Sequence, residues 1–246
     1  MSTQKVFEFR TRGASSVNCR TRQSDPIREL PDVPVLSGTL LAMELIICHG
    51  PVDLAQVSQL VLSDLGATLQ ILRQANRENV MGGRRLERVE DCISGLGMDR
   101  CFEAMAERLI TRSTHSASVY SAWDRAREIA ATSRFVAEKL GLNVASEDAY
   151  LVGLAHGIGN LPQILEWDCI KRLGGNSDLA GLRIAEAWSL PQCIVEYFFD
   201  RVAGESQTPW TTIVDHALEL LQNPPSALLR DQLIQFPFRS VREISA

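Results

Sequence analysis

Apolar residues in this 246-residue chain recur at steps of three and four almost from end to end, and sustained two-residue alternation is nearly absent. A three-to-four step puts one stripe of each segment on a core-facing side, so the pattern predicts an all-α protein with no sheet to organise it. Leu40, Leu41, Met43, Leu45 and Ile46 belong to a first predicted helix that ends near His49-Gly50-Pro51. Asp53, with Gln56 three residues on, is similar to a capping box opening a second helix striped by Leu54, Val57, Leu60 and Val61. Leu69, Ile71, Leu72 and Ala75 form a third short helix up to Asn76, and the polar segment Glu78–Arg88, with Gly82-Gly83-Arg84-Arg85, is a loop. Helices resume at roughly 89–95 and 99–112.

The short polar run Ser113–Ser118 is the expected boundary between two lobes. Beyond it a long helix over 119–140 turns Ala126, Ile129, Ala130, Phe135 and Leu140 inward. Ser146 is expected to cap the next helix, with Glu147 and Asp148 in its first turn favouring the positive end of the dipole. Another starts at Asn176 or Ser177 and stops before Leu190-Pro191, where Pro191 suits the first turn of its successor. Thr208-Pro209 repeats that N-cap and N1 logic for a helix over 210–222. The expected organisation is a basic arm over 1–27, a helical lobe over 28–115, a second helical lobe over 116–223, and a short helix and tail over 224–246.

A net charge of −5 argues against a nucleic-acid binder that relies on bulk charge. The charge is uneven. Residues 1–24 carry Lys5, Arg10, Arg12, Arg20 and Arg22 against Glu8 alone, a net +4 that leaves −9 for the rest. Such an arm suits an acidic partner, an anionic lipid or RNA, or is a solvated tail. No run of about 18 apolar residues exists to span a membrane, and the N-terminus lacks the apolar stretch of a signal peptide. Cys19, Cys48, Cys92, Cys101, Cys169 and Cys193 form no C-x-x-C pair and read as reduced, mostly buried residues of a cytoplasmic protein.

The most informative stretch is Gly153-Leu154-Ala155-His156-Gly157-Ile158-Gly159-Asn160-Leu161. It resembles the G-L-L-H-D-I-G-K-L signature of the HD superfamily of metal-dependent phosphohydrolases, in which adjacent His and Asp bind a divalent pair. His156 is kept, Gly157 stands at the Asp position and Asn160 at the Lys position. Glycine has no side-chain oxygen, so no rotamer restores the bridging ligand. Leu30-Pro31-Asp32-Val33-Pro34, Ser63-Asp64-Leu65-Gly66 through Ala75-Asn76, Cys92–Gly97, Trp123 and Trp188-Ser189-Leu190-Pro191 are similar, in order, to the landmarks of HDOD output domains. That resemblance covers about residues 28–203 and implies a bacterial signalling or regulatory module on an HD-like scaffold.

By the spacing of that family's motifs, the remaining ligand positions fall on Arg125, Ser177, and a closing pair near Arg201 and Val202. The resemblance therefore implies no bound metal pair, no cofactor and no metal-activated hydroxide. His156 is read either as a relic ligand reused for a small molecule or as a core histidine satisfied by one hydrogen bond. Arg125 either turns the old cation site into an anion site or is a surface arginine paired with Glu128. Asn160 and Ser177 are candidate hydrogen-bond donors to the same concavity, so Arg125, His156, Asn160 and Ser177 make up the candidate ligand site. Gly153, Gly157 and Gly159 are placed within one helix, Gly153 and Gly157 on a face that closes onto another helix. Trp123 and Trp188 are read as core aromatics, and the Phe198–Phe199 face or an inter-lobe cleft as the surface that meets a signalling partner. The competing expectation is a divergent phosphohydrolase for nucleotides or cyclic dinucleotides, with ligands drawn from Asp148, Glu166, Asp168 and His216.

Overall fold

The computed structural model describes residues 30–49, 51–78, 82, 85–107, 116–167, 175–204 and 208–223. The expected arm over 1–27, the tail over 224–246 and residues 113–115 of the expected boundary lie outside these residues, while residues 116–118 of that boundary belong to a helix. Among the described residues every regular element is a helix. Five helices form the first group: α1 (Ser37–Cys48), α2 (Leu54–Leu62), α3 (Leu65–Glu78), α4 (Val89–Leu96) and α5 (Met98–Ala106). The second group contains α6 (Ser116–Leu140), α7 (Ser146–Ala155), a 3-10 turn (Ile158–Asn160), α8 (Leu161–Ile164), α9 (Ser177–Ala187), α10 (Gln192–Ala203) and α11 (Pro209–Gln222). No described helix is long and apolar enough to cross a membrane.

Local chemistry accounts for most boundaries. Asp53 caps α2 by accepting from the Ala55 amide at 3.0 Å, and Asn176 caps α9 by accepting from the Asp178 amide at 2.7 Å. Glu90 and Asp91 open α4, and Glu147 and Asp148 open α7, at the positive end of each dipole. Gly204 ends α10 at φ +70°, a left-handed conformation that glycine adopts without a Cβ clash.

Several sequence expectations are corrected. α3 begins at Leu65, four residues earlier than Leu69, because Asp64 caps it. Ser146 is the first residue of α7, and the N-cap position belongs to Ala145, which offers no side-chain bond. Pro191 occupies the N-cap of α10, one place before its first turn. Thr208 does precede Pro209 at the start of α11, but its hydroxyl donates to buried Asp200 at 2.6 Å instead of capping the helix. On α6, Leu140 is exposed and Phe135 only partly buried, while Val136 and Ala137 take the core positions. On α1, Met43 alone of the five predicted apolar residues is fully buried, with Leu41 and Leu45 exposed.

The predicted single helix over the glycine motif is also wrong. α7 stops at Ala155, and Gly157 lies in a turn with open space where a Cβ would stand. Gly153 does have the packing role expected of it. A Cβ there would lie 2.6 Å from Ser133 Oγ and 2.9 Å from Ala130 Cα, so its hydrogen lets α7 lie close along α6.

The two groups share one hydrophobic core. They are joined through the carboxylate of Asp64, which is fully buried between α2 and α3. Asp64 accepts from the Leu36 amide at 2.8 Å, the Gly66 amide at 2.8 Å, the Ala67 amide at 3.2 Å and Trp123 Nε1 of α6 at 2.8 Å. Burial raises its pKa against the pull of these donors and of the Thr39 hydroxyl. Further bonds cross the same boundary: Tyr150 hydroxyl to the Leu62 carbonyl at 3.1 Å, and the Gln192 amide to Glu87 at 2.6 Å. The Arg73 guanidinium lies 5.1 Å from the centre of the Trp188 ring. Asp64→Ala strands several buried donors at once and is expected to cost about 3–5 kcal/mol of stability. Gly153→Ala forces α6 and α7 apart and is expected to cost about 1–3 kcal/mol; urea unfolding of both variants checks these values.

Candidate functional site

The HD-like motif sits where α7 gives way to the 3-10 turn, facing the N-terminus of α9 and the middle of α10. His156 follows the last residue of α7 and is half-buried. Its Nδ1 lies 2.7 Å from the hydroxyl of buried Tyr197, with the two rings edge to face at 6.1 Å. Four residues on from Tyr197, and so on the same face of α10, is Arg201. Its Nε is 3.5 Å from Asp178 of α9, and its Nη1 is 3.4 Å from Asp215 of α11. A guanidinium thus ties three helices together beside the imidazole.

Burial is the main reason that the His156 pKa falls below its ordinary value. The positive charge of Arg201 adds to the fall, Asp178 and Asp215 oppose it, and Arg125 depresses it further. Burial likewise pushes the Tyr197 phenol up, so it stays protonated at neutral pH.

The four candidate residues meet different fates. His156 is held by its hydrogen bond with Tyr197. Arg125 is near enough for its charge to reach His156, yet its guanidinium pairs with Glu128 at 3.2 Å on the surface of α6. Asn160 is exposed at the end of the 3-10 turn. Ser177 is exposed as the first residue of α9, and it meets the motif through its backbone: a Cβ on Gly159 would lie 1.8 Å from the Ser177 carbonyl oxygen. Gly159 therefore lets α9 close over the turn.

Sequence spacing does not reveal Tyr197, Asp178, Arg201 and Asp215 as a network, and it singles out Arg201 only through the family resemblance. The four-residue spacing from Tyr197 to Arg201 was the one available signal, because the partners of Arg201 come from other helices.

The remaining sequence candidates lie elsewhere. His216 Nδ1 is 2.8 Å from its own helix carbonyl at Thr212. Asp148 is in the first turn of α7, where burial raises its pKa. Glu166 follows α8 at φ +50°, and Asp168 lies outside the described residues. Among the described residues, no three His, Cys, Asp or Glu side chains are grouped so as to hold a metal ion. The Phe198–Phe199 pair is also corrected: Phe198 is buried against Gly181, leaving Phe199 as the exposed member. Trp123 and Trp188 are buried core aromatics.

An all-helical core carrying an HD-like motif without its adjacent aspartate defines the class of this protein. The HDOD domain family model matches residues 33–166, more than half of the chain, and the protein belongs to that family. The MmoQ response regulator of Methylococcus capsulatus str. Bath shares the fold, with a TM-score of 0.61, 21% identity, and coverage of 82% of this chain and 92% of that one. A fragment of the same regulator gives a TM-score of 0.61, 19% identity, and coverage of 81% and 89%. An HDOD domain protein of Geobacter sulfurreducens gives a TM-score of 0.34, 19% identity, and coverage of 87% and 82%. No curated protein matches this chain.

Because the folded-state pKa of His156 is depressed, its neutral form stabilises the fold fully above about pH 6.5, the ordinary histidine value. As the pH falls below that value the unfolded chain takes up the proton first, and this contribution is lost toward the lower folded pKa. His156→Gln is expected to lose less stability than the wild type between about pH 7.5 and 5. Parallel urea titrations at several pH values read the difference, and identical slopes would show that His156 is not held neutral by the fold.

Proposed function

We propose that this HDOD protein is a non-catalytic regulatory module that acts by binding a partner protein. The observation that carries this reading is the use made of Arg201. At a position expected of a metal ligand, its fixed positive charge is spent on Asp178 and Asp215 beside His156. A permanent guanidinium at that place repels a divalent cation and ties up two carboxylates that would otherwise attract one. Gly157 adds no donor, and Arg125 brings a second positive charge. What remains is a supported scaffold without the charge pattern of a hydrolytic centre. That a protein named a response regulator has the same fold is consistent with a signalling role.

Protein recognition is favoured over recognition of a small anion. Arg201 is already shared between two carboxylates, and Arg125 is paired with Glu128. A phosphate would have to compete with Glu128 for Arg125 and with Asp178 and Asp215 for Arg201. On the other side, exposed Phe199 and Val202 lie three residues apart on α10, on one surface close to the network.

Purified protein is expected to carry no stoichiometric Mn, Fe, Mg or Zn through gel filtration. With added Mn it is expected to turn over generic phosphomonoesters, phosphodiesters and cyclic dinucleotides no faster than His156→Ala does. Retained metal together with turnover that His156→Ala abolishes would establish a divergent phosphohydrolase instead.

A further inference from the structure

We infer that the surface shared by α1 and α5 is the docking site of this chain's own basic N-terminal arm. Those two helices pack side by side and enclose a groove of about 420 Å3 lined by Glu44, Ile47, Asp99, Phe102 and Glu103. Its floor is apolar and its rim acidic. Arg100 offsets part of that charge by pairing with Glu103 and Glu78, whereas Glu44 and Asp99 on the rim form no ion pair among the described residues. The apolar surface continues along α1, where Leu41 and Leu45 are 57% and 45% exposed. With Glu44 and Cys48 they form one stripe at three- and four-residue steps, although the rest of α1 is turned toward the core by Met43. Two exposed leucines one turn apart, beside an acidic groove, suit a ligand that is both basic and apolar.

The chain itself carries a segment of that chemistry. Lys5, Arg10 and Arg12 flank Val6, Phe7 and Phe9, and Arg20 and Arg22 follow, with Glu8 as the one acid before Asp25. The arm is tethered at Leu30, whose carbonyl accepts from Arg73 of α3 at 3.2 Å, and α3 packs against α5. The 18 positions from Arg12 to Leu30 span up to about 60 Å when extended, enough to reach a neighbouring helix of the same domain. Tethering keeps the arm at high effective concentration, so several individually weak surface pairs suffice to hold it. The arm then covers the leucines and balances the charge.

The test uses the full chain and reads how fast Glu44, Asp99 and Glu103 are amidated by a water-soluble carbodiimide with glycine ethyl ester, resolved by mass spectrometry. In the variant Arg10→Gln, Arg12→Gln, Arg20→Gln, Arg22→Gln the three carboxylates are expected to react about threefold faster than in the wild type, as loss of a few surface pairs implies. Glu138, exposed on α6, serves as a control and should not change. The same four positions changed to Lys should keep the wild-type rate, and high salt should bring wild type and Gln variant together. Equal rates in all three proteins at low salt would overturn the proposal. So would protection that rises with protein concentration, since the groove would then hold the arm of a second copy.

Discussion

The buried carboxylate of Asp64 is the constraint on which the two groups of helices depend. It caps α3, holds the chain where α1 begins, and receives the indole N–H of α6. A carboxyl taken out of water is costly unless its oxygens are occupied, and here both oxygens accept hydrogen bonds. Each donor therefore fixes its own element relative to the same point. The neighbouring glycine makes that convergence possible: a Cβ on Gly66 would lie 1.9 Å from the Pro34 carbonyl oxygen, so only glycine lets the strap before α1 lie against α3. Trp123 contributes twice, filling the core and carrying the bond across to the second group.

The motif region follows a related logic with a different charge. In the described structure a guanidinium organises the space between α9, α10 and α11, and the histidine beside it is held neutral by burial and by that same positive charge. A divalent centre needs converging carboxylates and neutral imidazoles. A fixed cation needs only its counter-charges, and Asp178 and Asp215 provide them. Glycines shape this region as much as the charged groups do: Gly153 admits α6, Gly159 admits α9, and Gly181 accepts the ring of Phe198. Close backbone approach at these glycines sets how near the helices lie to one another.

Helix positions were largely legible because a core-facing stripe repeats at fixed steps and because Asp53, Asn176 and Pro209 sit where isolated helices need them. Where prediction failed, a side chain had a better partner in three dimensions. Thr208 bonds to Asp200 instead of capping its helix, and Leu41 and Leu45 fit the helical period yet face outward. Periodicity marks a stripe without saying how much of it a neighbour covers. Among the site residues, His156 was legible from its motif and Arg125 with Glu128 from their three-residue spacing. The pairs Arg201–Asp178 and Arg201–Asp215 were not, since they join residues 23 and 14 apart in sequence.

By itself the sequence determined the helical class, the family motif order and the absence of a side-chain donor at Gly157, because each is a property of residue type or of short-range spacing. Only the tertiary structure decided that the motif helix ends at Ala155, that Asp64 joins the two groups of helices, and that Arg201 serves as the cation beside His156. Those outcomes depend on which helices lie next to one another, and that follows from side-chain volumes and buried hydrogen bonds summed over the whole core.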